Sequence, residues 1–237
     1  MKRLYPALLI LCLASAALLP ANLLLRQAFR CQFDLYVPAC YGFSSLLALG
    51  TLFPIFDTET SSRWHSAVCA LLSPCSFLFA MYLLLVGEAV LPALPLLIPM
   101  IGGIFLIRRA HIPLILRGFD IILSALLAFS ACAVLCIFLL FFNFGEVSVV
   151  RTVSSPNHAL IAEVIDSDQG ALGGDTLVNV RRAAPIIRLG IGELTLLPVR
   201  VYTGEWGEFS TMEIEWQSDA TLLIDGTPYF VPDIGNP

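Results

Sequence analysis

Residues 121–144 read IILSALLAFSACAVLCIFLLFFNF and carry no charged side chain. At about 1.5 Å rise per residue, about 20 apolar residues cross a hydrocarbon core about 30 Å thick, so this stretch is long enough to span a bilayer. Residues before it are mostly apolar, whereas those after it alternate polar with apolar side chains. The stretch therefore joins two halves of different chemistry, and its direction of crossing decides where the second half works.

Composition extends the same constraint to the whole chain. Of 237 residues, 58% are hydrophobic and 13% charged, against about 25% charged in a soluble domain. A polytopic membrane protein is expected. The net charge of −5 hides a split: residues 1–145 carry eight Lys/Arg and five Asp/Glu, whereas residues 146–237 carry five and thirteen. An acidic second half excludes nucleic acid as a partner, because phosphate binding needs clustered cations. All seven cysteines lie in the first half, at 12, 31, 40, 69, 75, 132 and 136. The second half therefore has no disulfide framework and must bury a core of its own.

Five spans are expected, at about residues 5–25, 37–56, 66–87, 91–107 and 121–144. The first comes after Lys2 and Arg3 and has small residues at Ala14, Ala16 and Ala17, which fits either an uncleaved helix or a secretory signal; its long apolar run favours the helix. Residues 66–107 hold one charge, Glu88, so they are expected to form a helical hairpin turning near Gly87 and Glu88. Its second arm contains Pro92, Pro95 and Pro99 and is expected to kink, with a re-entrant segment as the alternative. With the N-terminus inside, Lys2, Arg3, Arg63, Arg108, Arg109 and Arg117 collect on the cytoplasmic side, against Arg26, Arg30 and Arg151 outside. The positive-inside rule thus favours an extracytoplasmic C-terminal half, with or without cleavage of the first segment.

After Gly145 the period changes to two. Strands are expected at residues 146–153, 159–166 and 176–182, two more in 186–206 broken near residues 190–192 and Pro198, and a closing hairpin. In that hairpin Met212, Ile214 and Trp216 share a face, Leu222 and Ile224 return, and Asp225-Gly226 turns the chain toward Tyr229. The expected fold is an α-helical transmembrane region of about five helices (1–145) and, after it, a small all-β, mainly antiparallel domain (146–237).

Ser155-Pro156-Asn157, the Gly173-Gly174-Asp175-Thr176 lead-in to a Val-x-Val strand, Ile214-Glu215-Trp216, Asp219-Ala220-Thr221 and Ile224-Asp225-Gly226 together make a pattern. Over about residues 147–232 it resembles a family of bacterial membrane-anchored proteins catalogued as a domain of unknown function. Its members carry one or more spans and a small β-domain that opens on S-P-[DN]-G and closes on an I-x-W…D-x-T-x-x-I-x-G hairpin. This chain departs from that pattern by His158 in the glycine place and by its five spans. The resemblance implies no catalytic residue.

Several clusters invite chemical readings. Cys31 and Cys40, in the outer connector, could form a disulfide or stay as thiols at the bilayer edge. Asp166-Ser167-Asp168-Gln169-Gly170 opens like a calcium loop, with Asp175 as a third carboxylate, but Gln169 and Ala171 stand where further ligands belong; a solvated strand connection is the simpler reading. Glu88 is a turn residue or an intramembrane acid. Glu205, Trp206, Glu208 and Phe209 form either an acidic solvent face or a patch for a basic or carbohydrate partner. Cys132 and Cys136 share a helix face with no metal-binding neighbour, and Gly190-Ile191-Gly192 is a lone G-x-G. No Ser-His-Asp set or G-x-S-x-G is visible, and no cofactor is called for.

The expected function is non-enzymatic: an anchored β-domain that binds or senses an extracytoplasmic partner. Its partners would be the lipid bilayer and another membrane or cell-envelope protein. An accessory subunit of a transporter or channel, using Glu88 and the Pro-rich span, is one alternative; an enzyme at the outer surface, with no identifiable catalytic set, is the other.

Overall fold

The computed structural model describes residues 4–56, 63–86, 90–141, 146–170 and 173–231. Its first part holds five helical segments long and apolar enough to cross a membrane. These are α1 (Leu4–Phe29), α2 and α3 (Val37–Gly50 and Leu52–Phe56) in succession, α4 (Arg63–Leu85), a segment over Val90–Arg109, and α7 (Leu114–Phe141). Helices satisfy their own backbone groups, which lipid cannot do, so the apolar composition leaves little alternative. Some polar side chains inside the spans bond within their own helix. Ser15 donates to the Cys12 carbonyl at 3.0 Å, Asn22 to Leu18 at 3.1 Å and Thr51 to Ala48 at 2.6 Å.

The Pro-rich arm kinks as expected. It runs as α5 (Val90–Ala93), a 3-10 turn over Leu94–Leu96 that holds Pro95, and α6 (Leu97–Leu106). With its closing turn it is 20 residues long, sufficient for a full crossing. The fifth span begins earlier than residue 121. Nothing after Pro113 interrupts a helix, so α7 starts at Leu114 and takes in Arg117 and Asp120. Arg117 then reaches back to the Ala110 carbonyl at 2.9 Å, and Arg109 donates to the Pro54 and Ile55 carbonyls, both at 2.8 Å. Two arginines of the basic loop thus cap carbonyls that helix and loop ends leave open.

Helix α4 is the centre of this part, with Leu72, Phe79, Tyr82 and Leu83 fully buried. Phe79 meets Phe43 edge-on at 6.0 Å and lies parallel to Tyr82 at 6.1 Å. The Tyr82 hydroxyl accepts a bond from the Leu35 N–H at 3.1 Å. Helix α6 lies so close that a Cβ on Gly103 would come 2.8 Å from Ser73 Cβ and 3.0 Å from its backbone nitrogen. Only glycine fits there.

The second part is β-structure. Strands β2 (Glu146–Ser154), β3 (Leu160–Asp168), β4 (Gly174–Arg182) and β7 (Val199–Glu205) form a sheet in that order, antiparallel throughout. The alternation seen in sequence sets its faces: Ala162, Val164, Val178 and Val180 are buried on one side. Strands β8 (Ile214–Ser218), β9 (Thr221–Ile224) and β10 (Thr227–Phe230) make a second sheet that adds Leu222 and Ile224 to the same core. Asp225 and Gly226 both have positive φ, 49° and 75°, the conformation of a type I′ hairpin turn. Between these sheets in sequence, the chain breaks at both Gly190 and Pro198. Residues 187–205 therefore hold three strands rather than two, with β5 (Ile187–Leu189) and β6 (Gly192–Leu196) preceding β7.

The third sheet draws in a segment from the connector. Its order is β1-β6-β5, and β1 (Cys31–Leu35) comes from the connector between α1 and α2. Arg30 accepts a bond from the Leu197 N–H at 2.8 Å, and the Gln32 carbonyl lies 3.5 Å from the Thr195 hydroxyl. The chain accordingly forms two compact units, Met1–Leu25 with Asp34–Leu139, and Arg26–Phe33 with Leu140–Pro237. The segment Arg26–Phe33, from the connector, finds its backbone partner in the β unit.

Gly103→Val should lower the melting midpoint of the detergent-solubilised chain, since overpacking a tight contact costs about 1–3 kcal/mol. Gly42→Val, where a Cβ meets nothing within 4 Å, should leave it almost unchanged.

Candidate functional site

At one end of the four-stranded sheet, the S-P-N and D-A-T sequences turn out to hold one another. Ser155 is buried, and its hydroxyl bonds Asn157 Oδ1 at 2.7 Å and receives the Leu160 N–H at 3.0 Å. Asn157 Oδ1 also receives the Ala159 N–H at 2.9 Å. The Asn157 N–H donates to the Asp219 carboxylate at 3.0 Å, across 62 positions of sequence. His158 sits in this loop at φ 57°, a left-handed conformation that glycine adopts without cost. Nearby, the half-buried Trp216 donates its indole N–H to the Val153 carbonyl at 3.0 Å, and Arg151 donates to the Met212 carbonyl at 2.8 Å. Arg151 also lines a shallow cleft of about 340 Å³ with Glu213, Ile214, Glu215, Leu223 and Gly226. The residues that carry the motif thus close the domain and hold its sheets together.

The opposite end of the same sheet is acidic. Register pairs Asp168 with Gly174 and Asp175 with Glu205, so Asp175 and Glu205 share one face of the sheet while Asp166 and Asp168 share the other. Over the Asp166 side lies Trp206, 56% exposed, its indole N–H 3.2 Å from Asp166 Oδ1. A Cβ on Gly174 would stand 2.6 Å from the indole Cδ1, so the ring rests directly on β4. Gly207, at φ 90°, reverses the chain after Trp206. Glu208 then turns back to accept a bond from the Tyr202 hydroxyl at 2.8 Å. Its carboxylate, then partial burial, pushes the Tyr202 hydroxyl up to about 12. The patch of Glu205, Trp206, Glu208 and Phe209 therefore divides. Glu205 and Trp206 face solvent, Glu208 is half-buried on Tyr202, and Phe209 packs against the β core with its N–H on Thr176 Oγ1 at 3.2 Å.

The calcium-loop residues are held for other purposes. Asp166 orients Trp206, Asp168 accepts the Gly170 N–H at 2.7 Å in a tight turn, and Asp175 is 3.3 Å from the Gln169 amide. Asp166 and Asp175 alternate onto opposite faces, because Asp166 pairs with Thr176. Among the described residues, no three His, Cys, Asp or Glu side chains are placed to hold a metal ion. Cys31 and Cys40 are free thiols that do not form the disulfide considered for them. Cys31 faces the Phe29 carbonyl at 3.2 Å from β1, and Cys40 faces the Leu35 carbonyl at 3.7 Å from the first turn of α2. Glu88 lies outside the described residues. His65 is buried in the helical unit against Tyr5, with Cys69 one turn on and its thiol 3.8 Å from the ring.

Two arrangements carry no signal in the sequence: the Tyr202–Glu208 bond, which depends on the reversal at Gly207, and the Asn157–Asp219 bond between distant loops. No known protein family, curated sequence or solved structure matches the chain.

His158→Gly removes a left-handed non-glycine residue and should stabilise the β unit by about 1 kcal/mol, read as a higher unfolding midpoint from Trp emission. Because the folded Tyr202 ionises above its unfolded value of about 10, the bond to Glu208 contributes fully below that pH and is lost as pH rises towards 12. Alkaline titration of tyrosinate absorbance should lose a late-ionising group in Tyr202→Phe and shift that group down in Glu208→Gln.

Proposed function

We propose that this membrane-spanning chain keeps its N-terminus in the cytoplasm and presents the β unit on the extracytoplasmic face, where the unit binds a cationic partner in the cell envelope. Sidedness is argued from six basic residues at the inner span ends against three at the outer ones. The union of Arg26–Phe33 with the C-terminal strands supports the parity of that count. The connector after the first span and the segment after the fifth must share a face, as an odd number of spans requires.

The observation that carries the binding reading is Trp206. A large exposed indole normally signals contact, and this one is oriented by the Asp166 carboxylate on a sheet face that also bears Asp168. Such a surface attracts Lys or Arg side chains, which can stack on the ring while pairing with the acids. The acidic end is also where β2 begins, five positions after α7 ends. A basic juxtamembrane segment of another membrane or envelope protein is the partner this placement suits. The resemblance to bacterial membrane-anchored β-domains agrees with that architecture.

Reporter enzymes fused after Pro237 test the reading. An export-dependent reporter should be active and a cytosol-dependent one silent; the reverse pattern would remove both the sidedness and the partner.

A further inference from the structure

The β5–β6 hairpin carries a surface that neither the acidic patch nor the motif loops explain. Ile186, Ile187, Leu189 and Ile191 are 42%, 49%, 51% and 47% exposed, and all three residues of β5 lie at the surface. Leu189 pairs with Gly192, so Gly190 and Ile191 form the turn. Four large aliphatic side chains on one short edge form an unusual patch for a domain in water.

Chain connectivity says what covers them. Strand β1, which completes this sheet through β6, has only Arg30 between it and the end of α1, and only Tyr36 between it and the start of α2. Both helices are membrane spans by length and composition. The 26 residues of α1 reach about 39 Å, comparable to the 40–45 Å of a bilayer with its headgroups. A strand pinned at both ends to such helices lies in the headgroup layer. Strands are spaced about 4.8 Å apart, so β5 is within about 10 Å of β1. The apolar edge is thus tethered within reach of the acyl boundary. Arg188 alternates with Ile187 and Leu189, its side chain 72% exposed and only loosely paired with Glu193 at 3.8 Å. An aliphatic edge with a free-reaching guanidinium is the pattern of an interfacial element, with aliphatic groups in the acyl chains and the cation among phosphates.

We infer that the β5–β6 hairpin is a lipid-contacting edge, inserting Ile187, Leu189 and Ile191 into the bilayer that the chain itself spans. The edge would hold the third sheet down on the membrane. It makes this unit a membrane-surface module in its own right, independent of which face the unit occupies or what Trp206 binds.

The test uses the full chain in nanodiscs of phosphatidylcholine and phosphatidylglycerol, with a benzophenone amino acid substituted at Leu189 or Ile187, or at the exposed Gln217 as the solvent control. After illumination, mass spectrometry of the intact chain should show lipid adducts at the two β5 positions about tenfold above those at Gln217. Equal yields at all three positions, or adducts to a second copy of the chain in place of lipid, would overturn the inference. A second probe at Ile191, combined with Ile187→Asp and Leu189→Asp, should lose most of its lipid adduct, and an unchanged yield would count against the edge. Both replaced side chains are about half exposed, and Trp emission checks that the variant remains folded.

Discussion

Strand β1 belongs by sequence to the membrane half and by hydrogen bonding to the other. The connector after α1 could have been a solvated loop, yet its carbonyls and N–H groups are met by a strand 163 positions later. Backbone polar groups near a bilayer need partners, and an edge strand without one is a liability. Pairing with β6 meets both demands. It also means that the chain passes between its two units at three places, after Leu25, after Phe33 and after Leu139. The β unit is therefore joined to the helical unit through an early connector as well as at its own N-terminus.

Within the helical unit, the same requirement explains why Ser15, Asn22 and Thr51 are tolerated in apolar spans. Each of the bonded examples turns its side chain onto a carbonyl three or four residues back, within its own helix. Tight packing then comes from size. Gly103 permits α6 to meet α4 at Ser73, and aromatic contacts along Phe43, Phe79 and Tyr82 fill the space between α2 and α4. Close approach of backbones is the means by which membrane helices associate where burial from water offers little.

In the β unit, the residues that first draw attention divide by task. Ser155, Asn157, Asp219 and Trp216 look like a recognition motif and act as internal clasps. Asp166 looks like a cation ligand and serves as a support for Trp206. A polar residue bonded to its own backbone has few lone pairs or protons left for a ligand. Trp206 and Glu205 remain turned outward, and so does the aliphatic edge of β5. The surface thus offers one charged aromatic face and one apolar edge.

Hydrophobic run lengths were enough to read five spans, and period-two alternation enough to read the β-domain, because both patterns arise from local geometry: a rise of about 1.5 Å in helices and alternating faces in strands. The Asp225-Gly226 turn was legible for the same reason, since its residue types report a local backbone conformation. Span ends were less so, as with α7, because an apolar run does not mark where a helix begins in the interface. Out of reach were the contacts between residues far apart in sequence: β1 with β6, Asn157 with Asp219, and the division of the Glu205–Phe209 patch into an outward half and a buried half. These depend on which surfaces meet when the whole chain closes, and no local pattern of residue types encodes that meeting.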